Sequence, residues 1–198
     1  MSTPIRSASV ERKTSETIIA LSLCLDGEGN ADVHTGVPFF DHMLTLFAKH
    51  GLFDLKIDAR GDIEVDYHHT VEDVGIALGS ALNKALGDKA GIRRYGSAYV
   101  PMDESLARVV VDISGRPYLS YEAPRGVEAI GLFPFQLVEE FLRALSVHGG
   151  LTLHVSILTG RDAHHLAEAI FKALGRALDM AVSQDDRVKG VPSTKGIL

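Results

Sequence analysis

The sequence His-His-x-x-Glu occurs twice in this chain, each time inside a longer matching segment. Residues 68–86 read HHTVEDVGIALGSALNKAL and residues 164–182 read HHLAEAIFKALGRALDMAV. Aligned without a gap, they share the histidine doublet, the glutamate and a later Ala-Leu-Gly-x-Ala-Leu. A rare doublet that returns in the same frame marks an internal duplication. The chain is therefore expected to fold as two like halves.

Helical geometry separates the two faces of each segment. At about 100° per residue, Val71, Val74, Leu78, Ala81, Leu82 and Ala85 form one apolar stripe, and Ala167, Ile170, Leu174, Ala177, Leu178 and Ala181 form its counterpart. His68, His69 and Glu72, like His164, His165 and Glu168, fall off those stripes near the helix starts. Neighbouring histidines diverge by one helical step, so a doublet suits two ions better than one. Imidazole and carboxylate together at this spacing are metal-site chemistry. Ligands turned away from the core point to completion by another chain.

The flanking sequence repeats as well. Strands are expected over residues 5–13, 15–25 and 31–34, then a helix opened by Pro38 and ended by Gly51, a strand over 52–58 and the first His-His helix. The second half follows with strands at 97–102 and 106–113, and Ser114-Gly115-Arg116-Pro117 joins the latter as a hairpin to a strand at 118–121. A helix from about Phe133 to His148, a strand at 151–158 and the second His-His helix complete it. The expected fold is α+β, with helices packed between two four-stranded sheets so that each apolar face is covered. The halves span 1–89 and 90–182, and 183–198 forms an extended tail.

His42 and Glu140 occupy matching places in the two earlier helices, since His50 and His148 each follow eight residues later. The candidate ligands are thus His42, His68, His69, Glu72, Glu140, His164, His165 and Glu168, with His148 in reserve for Glu140. Nitrogen and oxygen donors without sulfur suit a manganese-like or zinc-like ion, and carboxylates favour a catalytic over a closed structural site. His34, His50, His148 and His154 otherwise read as structural or surface residues.

Composition removes other classes. The 198 residues carry a net charge of −6 and a single cysteine, so neither a basic nucleic-acid face nor an intrachain disulfide is expected. No apolar run is long enough for a membrane span, and the start lacks a signal-peptide core. A soluble cytoplasmic protein is expected.

The segments TGVPFFDHML, DYHHTVEDVGIALG, PMDE, SGRP, DAHHLAEAIFKALGRAL and PSTKG, in this order, resemble the imidazoleglycerol-phosphate dehydratases of histidine biosynthesis. The resemblance covers nearly the whole chain. It implies a duplicated fold akin to the second domain of ribosomal protein S5, and two Mn²⁺ per active site, with other divalent metals open. It further implies homo-oligomers, trimers that assemble with metal into a 24-subunit particle whose sites lie between chains. The substrate would be a small phosphorylated imidazole, with neither nucleic acid nor membrane as partner. Imidazole glycerol phosphate would lose water to give imidazole acetol phosphate through a metal-bound imidazolate and a diazafulvene-like intermediate. Glu16 resembles the family's active-site glutamate, and Glu168 is the other candidate base. Arg94, Arg116, Lys172, Ser193 and Lys195 match its phosphate-binding positions. The chain departs from the family pattern at Glu140, where histidine is usual, and at Leu46, where Gln is frequent. Two readings compete with this one: a dinuclear metal-dependent hydrolase, although the chain has no HExxH, and a particle in which metal serves assembly alone.

Overall fold

The computed structural model describes residues 5–198; residues 1–4 of the first half lie outside the described residues. The first half contains β1 (Ser7–Lys13), β2 (Thr17–Cys24), β3 (Ala31–His34), α1 (Pro38–Gly51), β4 (Asp54–Gly61) and α2 (His68–Leu86). The second contains β5 (Tyr95–Met102), β6 (Ser105–Asp112), β7 (Tyr118–Glu122), α3 (Leu137–Gly149), β8 (Thr152–Thr159) and α4 (Ala163–Val182). Each half makes one four-stranded sheet, in the orders β1-β2-β4-β3 and β5-β6-β8-β7. This is an α+β fold of two half-domains, with the helices between the sheets.

Strand alternation decides which sheet face is inward. In β2, Thr17, Ile19, Leu21 and Leu23 are buried while Ile18, Ala20 and Ser22 face out, the period-2 pattern of a half-buried strand. α2 packs on β1 and β2 and α4 on β5 and β6, while α1 lies against α4 and α2 against α3. Each half thus lends its helices to the other across a helical double layer. The core is continuous through it, from Ile19 and Ile57 through Phe40, Phe141 and Phe171 to Val109 and Val155.

Both predicted stripes are buried, and burial extends well beyond them. Gly75, Ala77 and Gly79 are also buried in α2, because that helix meets a sheet on one side and α3 on the other. A Cβ on Gly79 would lie 2.7 Å from the amide nitrogen of Gly149, and one on Gly175 would lie 2.5 Å from the carbonyl oxygen of Phe47. These are corresponding glycines of the repeated Ala-Leu-Gly. They let the helix pairs α2–α3 and α1–α4 approach closely.

Sequence expectations change at several places. α3 begins at Leu137 and not near Phe133, because Phe133 is held in a bridge with Ile130. Leu52, not Gly51, takes the left-handed conformation (φ 55°) that ends α1. Gly51 is glycine because a Cβ there would meet the Phe53 ring and the carbonyl oxygen of Gly175. β6 and β7 are not hairpin arms: β7 pairs in parallel with β8, which lies between them. The turn residues 114–117 instead carry the chain past β8 to the sheet edge. β4 begins at Asp54 and continues to Gly61, because Thr17 of β2 remains in register with Gly61; the turn follows at Asp62. Among the described residues, no helix is long and apolar enough to cross a membrane.

Candidate active site and metal centre

His42 lies on α1 of the first half, and His164 and Glu168 on α4 of the second. The α1–α4 packing brings them together. Nε2 of His42 is 3.1 Å and Nε2 of His164 is 3.0 Å from the same Glu168 oxygen, Oε1. All three donor atoms lie within 4.8 Å of one another. Nitrogen and oxygen donors gathered this closely, without sulfur, could hold a divalent cation.

The other oxygen of Glu168 accepts a hydrogen bond of 2.6 Å from Nζ of Lys172, one turn later on α4. Burial pushes the Glu168 carboxyl up, but the Lys172 ammonium and the hydrogen bonds from His42 and His164 outweigh it and hold it at about 2. A carboxylate so firmly ionised is a good ligand and a poor proton acceptor. Phe39 packs edge-on to the His164 ring with centroids 5.2 Å apart, which restricts that ring further.

The equivalent grouping in the other half is looser. Nε2 of His68 is 3.9 Å from Glu72. Glu140, on α3, is 3.9 Å from the Arg143 guanidinium and lies outside the three-residue cluster.

The second histidine of each doublet turns to other carboxylates. Nδ1 of His69 is 3.0 Å from Asp62, and Nδ1 of His165 is 2.8 Å from Glu104. Hydrogen bonds to those carboxylates raise both imidazoles above their ordinary value. Glu16, in the β1–β2 turn, stands 3.8 Å from Nε2 of His69, and Asp103, in the β5–β6 turn, stands 3.8 Å from Nε2 of His165. Asp62, Asp103 and Glu104 were not singled out in the sequence. Their only signals were the PMDE segment and a lone Asp seven residues before His69.

The phosphate-position residues fall in two places. Arg94 forms a fork with Asp112 (2.7 and 3.1 Å), and its Nη1 donates to the carbonyl oxygen of Pro192 in the tail. The exposed Arg116 guanidinium is 4.0 Å from the same Asp112. In the tail, the amide of Lys195 donates to the Ser193 hydroxyl. Lys172, by contrast, stays beside Glu168. The Arg94 amide donates to the carbonyl oxygen of Ala181 near the end of α4, so at 1.5 Å per residue that contact lies about 20 Å from Glu168 along the helix. A cleft beside the later turns of α4 is lined by Lys49, His50, Arg93 and Arg176. Burial, helped by the charges of Lys172 and Arg176, pushes the His50 imidazole down. Sequence reading placed His50 with the structural histidines, because nothing local announces that α4 supplies these cations.

The sequence model of the imidazoleglycerol-phosphate dehydratases matches residues 35–178. The chain belongs to this family. An imidazoleglycerol-phosphate dehydratase from Thermoanaerobacter pseudethanolicus is 61% identical over 194 residues, covering 98% of this chain and all of the relative. One from Acetivibrio thermocellus is 58% identical over 193 residues, covering 98% and 99%. The crystal structure of the Staphylococcus aureus dehydratase superposes with a TM-score of 0.82 at 44% identity, covering 90% of this chain and 99% of that one. The Pyrococcus furiosus dehydratase, solved in complex with (S)-C348, gives a TM-score of 0.82 at 38% identity, covering 96% and 100%. Membership makes the chain a lyase of histidine biosynthesis, and the His42–His164–Glu168 cluster is its candidate metal site.

Proposed function

We propose that this chain dehydrates imidazole glycerol phosphate to imidazole acetol phosphate in the cytoplasm, using two Mn²⁺ held by its duplicated His-His-x-x-Glu helices. The observation that carries the reading is the meeting of His42 from one half with His164 and Glu168 from the other, both imidazoles within hydrogen-bond distance of a single carboxylate oxygen. His68, His69, Glu72, Glu140 and His165 are the remaining ligands. Bound there, the divalent cation supplies Lewis acidity toward a ring nitrogen of the substrate.

The side chains divide the remaining work. The hydroxyl leaves from the carbon next to the ring, and a proton leaves the adjoining carbon; the resulting enol becomes the ketone. Glu16 takes that proton. It is half exposed and stands 3.8 Å from His69, whereas Glu168 is held ionised by Lys172 and serves as a ligand. Arg94, Arg116, Ser193 and Lys195 bind the phosphate, with Lys172 closer to the ring. The tail closes over the bound substrate and limits the entry of water.

The spacing along α4 supports assembly. About 20 Å is longer than a small phosphorylated imidazole, so the phosphate residues near one end of α4 serve a metal cluster supplied by a neighbouring chain. Exposed apolar side chains near the doublets, Val65 before α2 and Leu132 before α3, suit such contacts. A trimer that assembles with metal into 24 subunits meets this requirement.

Replacing Glu16 by Gln tests the assignment of the base. The turnover number should fall about 10²–10⁴-fold, with manganese content and KM near wild type. Unchanged turnover in Glu16→Gln would return the base to another residue. Absence of dehydratase activity in the manganese-loaded wild-type protein would remove the proposed reaction.

A further inference from the structure

The two outward-turned histidines share a contact that the duplication does not explain. His69 and His165 each present Nδ1, not Nε2, to a carboxylate at hydrogen-bond distance. The carboxylates come from different parts of the fold. Asp62 lies in the β4–α2 connection, residues 62–67, while the matching β8–α4 connection has only residues 160–162. Glu104 lies in the β5–β6 turn, whose counterpart is the β1–β2 turn that carries Glu16. Unequal loops have thus been shaped to deliver the same group to the same ring nitrogen. A contact merely inherited through duplication would use corresponding residues.

We propose that Asp62 and Glu104 are positioning residues. Each accepts a hydrogen bond from the Nδ1–H of its histidine and thereby holds the Nε2 lone pair outward for a cation. A neutral imidazole carries one ring proton, so fixing it on Nδ1 leaves Nε2 as the only ligating atom. The Glu104 carboxylate is anchored independently of the ring. One Glu104 oxygen, Oε1, accepts the amides of Arg161 (3.3 Å) and Asp162 (3.0 Å), leaving Oε2 for His165. Asp62 is held at its backbone, where its amide donates to the Glu16 carbonyl oxygen at 3.2 Å, and both of its carboxylate oxygens face Nδ1 of His69, at 3.2 and 3.0 Å. Glu104 therefore ties the second doublet to the strand turn in front of it, and Glu16 and Asp62 do so for the first.

This inference rests on the metal-binding reading above, and two measurements separate them. In metal-free protein, ¹⁵N spectra of labelled histidine should show His69 and His165 as Nδ1–H tautomers; Nε2–H tautomers in the wild type would overturn the proposal without touching the metal assignment. Glu104→Gln is the informative variant. Its amide oxygen can keep the Arg161 and Asp162 amides while its NH₂ faces His165, forcing the ring proton onto Nε2. Free Mn²⁺ measured by electron paramagnetic resonance should then show affinity at that site weakened about 10–100-fold, with Asp62→Asn weakening the other. If only Glu104→Ala loses metal and Glu104→Gln binds as wild type does, the carboxylate is a loop anchor and the proposal fails. Wild-type protein that takes up no Mn²⁺ would sink the metal reading itself, and the orienting role with it.

Discussion

Glu168 shows how one side chain can be committed by its neighbours. One oxygen faces two imidazoles and the other faces Lys172, so both its ionisation and its orientation are set before any cation arrives. Glu168→Gln keeps the shape and removes the charge. Its expected result is at least a tenfold loss of Mn²⁺ affinity, about 1.4 kcal/mol, read by equilibrium dialysis. The folded carboxyl sits at about 2 against an ordinary 4.5. A depressed carboxylate contributes stability that is fully present above pH 4.5 and lost as pH falls toward 2. Urea unfolding of the metal-stripped protein should show this acid-sensitive part in the wild type and its absence in Glu168→Gln.

Helix contacts set the site at the next scale. His42 reaches Glu168 only because α1 lies close on α4, and Gly175 permits that closeness. Gly175→Ala pits two effects against each other. Helix propensity favours alanine by about 0.5–1 kcal/mol, while overpacking against the Phe47 carbonyl oxygen, 2.5 Å from the added carbon, costs about 1–3 kcal/mol. The backbone oxygen cannot rotate away as a side chain would, so the net effect should be destabilising. Denaturant midpoints should fall, and manganese affinity should fall with them as His42 moves from Glu168. A raised midpoint with unchanged affinity would show that the helix pair has slack.

At the scale of the whole molecule, the tail and the metal cluster are divided along α4. Lys195→Ala should raise KM severalfold while leaving metal content and particle size unchanged, because Lys195 is exposed in the tail and distant from the cluster in its own chain. Steady-state kinetics beside light scattering tests this. Acid should act differently. His69 and His165 are raised by Asp62 and Glu104, so protons compete with the cation already above about pH 6.5, the ordinary histidine value. Metal and large assemblies should be lost together as pH falls through that region. Size-exclusion chromatography with metal analysis from pH 8 to 5 is the check; a full, metal-loaded particle at pH 5 would contradict it.

The repeated doublets by themselves determined the duplicated α+β plan and the two buried stripes, because 3.6-residue and two-residue periods are local properties of the chain. Ala-Leu-Gly was visible as a repeat, but its purpose was not, since a glycine's neighbour across a helix pair has no sequence signature. Only tertiary structure decided that His42 belongs with His164 and Glu168, that β7 joins β8 and not β6, and that Asp62 and Glu104 hold the outer histidines. The reason is physical: these contacts join residues tens of positions apart, and packing of one half against the other, rather than any local preference, fixes which of them meet.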